Sequence, residues 1–370
     1  MIETFEETFV VLDALDECAD LDGLFNHITT VTSWGLQAFH CLLTSRIETT
    51  LHNTVLPAFH VQLEAKVVND DIRRYIRQVL ETDTAFKRWK GKPQAIKIED
   101  ELMKNAAGMF QYAACHLETL KTCPTPRKLN EKLSSMPKTL DETYQRMLEA
   151  ISPHYVAFAR TMLCWLAYAR RPLLITEVVD AMAFVQTEDE DVQEVEFDID
   201  SRLADSSDII TICPSLVTFL DDIETNTKQV RLAHNSISDY IVSNRMPDRL
   251  ASSFKMDLVA SHAEIAKGCL AYLLEFESHG PLTSEAISEF PLARYAAVFW
   301  TQHARIADEA GESTGRMALT LLLDRREAFE NWIRLFDPDV PEEGPDFDEG
   351  GRQVKSPLYY ASLLGLTNVI

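Results

Sequence analysis

The chain has 370 residues, 46% of them apolar, which is enough to build two or three packed domains. Its 58 acidic residues outweigh 35 basic ones, for a formal charge of −23. A field of that sign repels phosphate backbones and anionic lipid, so nucleic acid and membrane are expected to be no partners of its body. Seven scattered cysteines show no zinc spacing and no disulfide framework, and Met1 to Glu7 carries three glutamates in place of a basic, apolar leader. A reducing, cytoplasmic location is expected.

In chain order, the first informative stretch is Phe9-Val10-Val11-Leu12-Asp13-Ala14-Leu15-Asp16-Glu17-Cys18. Its unbroken apolar run suits a strand buried in a parallel sheet. The carboxylates Asp13, Asp16 and Glu17 then fall beyond the strand's carboxyl end, where open α/β sheets keep their chemistry. One reading is a Walker B site, with a carboxylate for Mg²⁺ and a neighbour to orient water. The other is an ordinary strand followed by an acidic helix start. Leu21 to Gly35 reads as a helix. Ala38-Phe39-His40-Cys41-Leu42-Leu43 reads as a second buried strand, His40 and Cys41 facing opposite sides. It ends in Thr44-Ser45-Arg46. Arg46 suits either a sensor of a terminal phosphate or a solvated loop.

Helices are expected from there on: Asp70 to Leu80, then one continuous helix from Lys97 to Lys121 that carries Gly108 at a cost of about 1 kcal/mol. Thr125-Pro126 and Thr139-Leu140-Asp141-Glu142 read as helix starts, the second a capping box. Residues 151–247 hold a helix from Ser152-Pro153, a second capped by Thr176, an acidic insertion between Glu188 and Asp200, and a third over Ser201 to Ile209. The runs Cys213 to Leu220 and Gln229 to Leu232 then form a hairpin. Three helices and a hairpin make a winged helix, but the acidic third helix suits DNA poorly. Further helices are expected over His234 to Val242, Ser261 to Glu275 and Pro291 to Ala307, with another pair within Met317 to Phe336, then a loop from Asp337 to Gly351. Ser356-Pro357-Leu358-Tyr359-Tyr360-Ala361 fits the ankyrin template T-P-L-H-x-A. Two short matches are read as accidental. Gly311-Glu312-Ser313-Thr314-Gly315 has the G-x-S-x-G spacing without a strand before it. His234, Ser236 and Asp239 would share one helix, where residues two apart do not face each other.

Eight stretches, in order, together resemble the fungal NACHT-type signalling NTPases of the STAND class that carry ankyrin or WD repeats: FVVLDALDEC (9–18), LLTSR (42–46), AAGMFQYAACHLETL (106–120), LSSMPKTLDETYQRML (133–148), LLITEVVDAMAF (173–184), VRLAHNSISDYI (230–241), HAEIAKGCLAYLL (262–274) and FPLARYAAVFWTQHAR (290–305). The resemblance implies a mostly α chain with a small α/β remnant. Residues 1–46 would be the C-terminal part of a nephrocystin-3-like P-loop NTPase sheet and 47–150 a helical domain. A GPI inositol-deacylase-like winged helix would fill 151–247, a helical linker domain 248–345, and the start of an ankyrin array 346–370. It implies Asp13 as the Mg²⁺ ligand, Asp16 and Glu17 as the pair that polarises water, and Arg46 as sensor. His234 becomes the winged-helix histidine that contacts the ADP phosphate; without the family it reads as a surface histidine at a helix start. Gly108-Met109-Phe110 falls where relatives place a Gly-x-Pro base contact, without the proline.

The family's Walker A loop, G-x-x-x-x-G-K-[ST], occurs nowhere in the 370 residues. The expectation is therefore a chain truncated before Walker B. Mg²⁺ and ATP or GTP serve the full-length family, and this chain alone holds neither appreciably. Protein partners on the ankyrin repeats and self-association are implied. The alternative is a non-catalytic scaffold of winged-helix and ankyrin type.

Overall fold

The computed structural model describes residues 6–13, 15, 18, 20–35, 38–45, 65–186, 195–222, 227–308, 314–347 and 354–366. They fall into two compact units, Met1–Val67 and Val68–Ile370. Helices predominate, with three small sheets.

In the first unit, β1 (Thr8–Leu12), α1 (Leu21–Ser33) and β2 (Phe39–Leu43) form a β-α-β crossover. The strands are parallel and in full register, Thr8 opposite Phe39 through Leu12 opposite Leu43. They therefore end side by side. Asp20 caps α1 by accepting from the Gly23 N–H at 2.9 Å. Phe9, Val11 and Leu42 are exposed, so the sheet is not the fully buried one that its apolar runs suggest.

The second unit opens on a small helical core built by α2 (Ala65–Thr82), α3 (Pro93–Ala106), α4 (Phe110–Lys121) and α5 (Pro126–Ser134). Glu99, 8% exposed on α3, is clamped by α2: Arg77 donates to both its oxygens at 2.8 Å and Arg73 to one at 3.3 Å. The expected single helix over Lys97 to Lys121 is two. Ala107 (φ 45°) and Gly108 (φ 81°) both take left-handed backbone, which ends α3 and turns the chain into α4. The Gly108 N–H, freed from a helix, donates to Asn69 Oδ1 on α2 at 2.9 Å.

A larger core follows, from α6 (Leu140–Glu149) to the last described residues. As expected, Thr139 caps α6 by accepting from the Glu142 N–H at 3.2 Å; Glu142 reaches back to the Lys138 N–H at 2.8 Å. Then come α7 (Val156–Tyr168), β3 (Leu173–Leu174), α8 (Ile175–Ala181), α9 (Asp208–Ile212), β6 (Val217–Asp222) and β7 (Thr227–Leu232). Strand β7 sits between β3 and β6, antiparallel to both, which is the sheet of a winged helix.

Two details differ from expectation. Thr176 does not cap α8; Glu177 does, its carboxylate accepting from the Leu174 N–H at 2.8 Å while paired to Arg171. The third helix is α9, later and shorter than Ser201 to Ile209, because Ile199–Ser201 makes only a 3-10 turn. The acidic insertion is flanked by a hairpin that its charge concealed, β4 (Phe184–Gln186) on β5 (Val195–Phe197).

The chain continues through α10 (Asn235–Val242), α11 (Asp248–Phe254), α12 (Leu258–Leu274), α13 (Ser284–Ile287), α14 (Ala293–Asp308), α15 (Gly315–Leu319), a π-turn over Thr320–Asp324, α16 (Arg326–Leu335) and α17 (Pro357–Leu363). Helices α12 and α14 form the centre. Gly268 is needed on α12 because a Cβ there would meet the Phe184 ring at 3.0 Å and Trp165 at 3.3 Å. Asp180, 1% exposed on α8, ties the winged helix to this centre. It pairs with Arg202 at 2.7 Å and accepts from the Tyr272 hydroxyl. Helix α17, capped by Ser356, sends Tyr360 and Ala361 into the same core. No helix among the described residues is long and apolar enough to cross a membrane.

Candidate nucleotide-switch residues

Asp13 stands directly after β1, level with Thr44 after β2. The Thr44 N–H donates to Leu12 O at 3.0 Å, the Leu15 N–H returns to Thr44 O at 2.9 Å, and the Thr44 hydroxyl donates to Asp13 Oδ1. Two strand ends in register thus hold one exposed carboxylate at the carboxyl edge of the sheet. One carboxylate oxygen is engaged by Thr44, and an acceptor in this position suits a hard, oxygen-seeking cation such as Mg²⁺. Thr44 is a contributor that sequence reasoning passed over; its position beside the strand tip was the available signal. Asp16, Glu17 and Arg46 lie outside the described residues. Among the described residues no group of three or more His, Cys, Asp or Glu side chains is placed to hold a metal.

His234 lies in the second unit, exposed, at the N-cap of α10 with extended backbone (φ −162°, ψ 148°). The β7 strand delivers it, and the helix begins on the next residue. Its Nδ1 accepts from the Ser236 N–H at 3.1 Å, taking the place of the usual Ser, Thr or Asp cap oxygen. The expectation that His234 and Ser236 cannot engage is wrong. It assumed both residues were helical, but the cap residue lies outside the helix, and Nδ1 stands 2.7 Å from Ser236 Oγ. Ser236 Oγ is in turn 2.7 Å from the Tyr144 hydroxyl on α6. Asp239 lies one turn further along α10, where its backbone carbonyl accepts from Arg245. A neutral imidazole capped through Nδ1 carries its proton on Nε2, and can donate it to an anionic oxygen.

Gly108 makes the α3–α4 corner through its left-handed backbone. Of the G-x-S-x-G match, residues 311–313 lie outside the described residues, and Arg305 to Ala307 before it belong to α14 rather than to a strand.

Two family models and two relatives match parts of the chain. Residues 1–46 match the family described as nephrocystin 3, N-terminal, and residues 144–257 match the GPI inositol-deacylase winged helix domain. The second match opens inside α6, whose Tyr144 and Leu148 belong to the larger core. The chain is 34% identical over 275 residues to the azaphilone pigments biosynthesis cluster protein L of Monascus ruber, covering 70% of this chain and 56% of that protein. It is 25% identical over 244 residues to the vegetative incompatibility protein HET-E-1 of Podospora anserina, covering 64% of this chain and 16% of that protein. No solved structure matches the chain significantly. The chain is thus similar to fungal HET-type proteins, with a nephrocystin-3-like start and a winged helix of the deacylase-associated type.

Proposed function

We propose that the chain is the Walker B, helical and winged-helix portion of a STAND-type, nucleotide-controlled signalling switch, of the NACHT kind, that senses proteins through an ankyrin array. In this reading Asp13 holds Mg²⁺, Asp16 and Glu17 polarise the attacking water, Arg46 senses the terminal phosphate, and His234 donates to a phosphate oxygen. The bound nucleotide is ATP or GTP and its diphosphate. The phosphate cradle comes from a P-loop outside these 370 residues, where the motif does not occur. Helix α17, with Ser356 as cap and Pro357 in the first turn, would open the ankyrin array. Partners are proteins bound by those repeats and other copies of the chain, in the cytoplasm, with neither nucleic acid nor membrane.

The observation that carries this reading is Asp13, held by Thr44 at the carboxyl end of an in-register parallel strand pair, in the stretch with nephrocystin-3-like sequence. The similarity to a vegetative incompatibility protein supports a role in self/non-self signalling. The gene tests the proposal: an in-frame P-loop upstream of Met1 is expected, and an upstream frame without one would count against it. For residues 1–370 alone, calorimetric titration with Mg·ATP, Mg·ADP and Mg·GTP is expected to show no micromolar binding, because most phosphate affinity resides in the P-loop.

A further inference from the structure

His234 is not an isolated cap. Three contacts fix the direction of every proton around it. Nδ1 accepts the Ser236 backbone N–H, so that nitrogen carries a lone pair. Ser236 Oγ, 2.7 Å from the same nitrogen, must then donate to it. The serine oxygen is left as an acceptor for the hydroxyl of Tyr144, also at 2.7 Å. Tyr144 is 1% exposed, and burial pushes its hydroxyl up to about 12, so it enters the chain as a proton donor at neutral pH. The remaining proton of the exposed ring sits on Nε2.

Helix α6, which supplies Tyr144, is anchored against α10 and α11. Arg245 pairs with Asp141 at 3.1 Å, Arg249 with Glu149, and the Tyr144 and Tyr240 rings pack with centroids 5.8 Å apart. The neighbouring residue Thr143 turns the other way. Its hydroxyl lies 3.2 Å from His116 Nε2 on α4. Helix α6 thus reaches Ser236, the partner of His234, on one side and His116 of the small helical core's α4 on the other.

We propose that Tyr144 is a positioning residue which, through Ser236, holds His234 as the Nε2–H tautomer and so makes α6 the element that sets the histidine's readiness to donate to an anionic oxygen. The consequence for phosphate binding rests on the nucleotide reading above; the tautomer itself does not.

The test is long-range proton–nitrogen NMR of the imidazole in the full chain at neutral pH, with His234→Gln to assign the signal. The wild type is expected to show a protonated Nε2 and a bare Nδ1. Ser236→Ala and Tyr144→Phe are each expected to move the tautomer ratio toward Nδ1–H by about fivefold, the worth of one neutral hydrogen bond. Ser236→Thr, which keeps the hydroxyl, should restore the wild-type ratio, and Tyr240→Phe should leave it unchanged. A wild-type ring protonated on Nδ1, or a ratio unmoved by Tyr144→Phe, overturns the proposal. Should Tyr144→Phe fail to fold, 3-fluorotyrosine at position 144, a stronger donor to Ser236, is expected to move the ratio further toward Nε2–H, and no movement overturns the proposal. No nucleotide is present, so failure of the nucleotide reading leaves this result intact, and a failed relay leaves that reading open.

Discussion

Histidines 116, 262 and 303 are each no more than 3% exposed, and their hydrogen bonds suit the neutral ring. The Arg170 N–H donates to Tyr295 Oη at 3.0 Å, the Tyr295 hydroxyl lies 2.9 Å from His303 Nε2, and His303 Nδ1 lies 2.6 Å from His262 Nδ1. Burial is the largest cause that lowers all three: His116 to about 4, His262 to about 4, and His303 to about 3, where His262 adds to it. Because the folded values lie below the ordinary 6.5, the unfolded chain takes up protons first as pH falls. Stability is therefore fully present above pH 6.5 and declines as pH drops toward 4. Urea denaturation at pH 7, 6, 5 and 4.5 is expected to show this decline, weaker in His116→Gln. A flat profile would contradict it. Asp180 gives a second prediction. Asp180→Ala strands Arg202 and the Tyr272 hydroxyl, and should cost about 3–5 kcal/mol in the same assay. At this scale the strand end that places Asp13 was legible from its apolar run, and the helix start that places His234 from the residues after it. Tyr144 was not: it lies 92 residues from Ser236, and nothing local in either stretch records the meeting.

The α3–α4 corner shows what one residue's backbone does to an element. Ala107 holds a left-handed conformation at a cost a glycine would not bear. Ala107→Gly is expected to stabilise by about 0.5–1 kcal/mol, and Gly108→Ala to destabilise by about 1 kcal/mol or more. Opposite signs at adjacent positions are the signature to seek by thermal denaturation; two losses would mean the corner is not strained. In α12, Gly268→Ala should cost about 1–3 kcal/mol, since the Phe184 and Trp165 rings leave no space for the methyl. The caps at Thr125 and Thr139 were readable because a cap is a local bond. The single helix read over Lys97 to Lys121 was not corrected by its own sequence. Its apolar spacing continues through the corner, and only Asn69, far along α2, takes the freed Gly108 N–H. The β4–β5 hairpin was hidden for a related reason: Phe184 and Phe197 are paired across a stretch whose acidity reads as loop.

For the whole molecule, composition foretold real cores and the helical spacings a helix-rich chain, and the two cores of the second unit are of that kind. The order of helices and hairpin made the winged helix legible, because each strand pairs with a near neighbour in sequence or with a two-residue strand beside it. The strand pair of the first unit was legible as strands, but its exposed apolar face was not, since an apolar run states what a residue prefers rather than what covers it. The most direct measurement is calorimetric binding of Mg·ADP to this chain joined to the P-loop segment read from its gene, with Asp13→Ala and His234→Ala beside it. The account predicts micromolar or tighter binding by the joined protein and at least a tenfold loss in each variant. Binding that neither substitution weakens would contradict it.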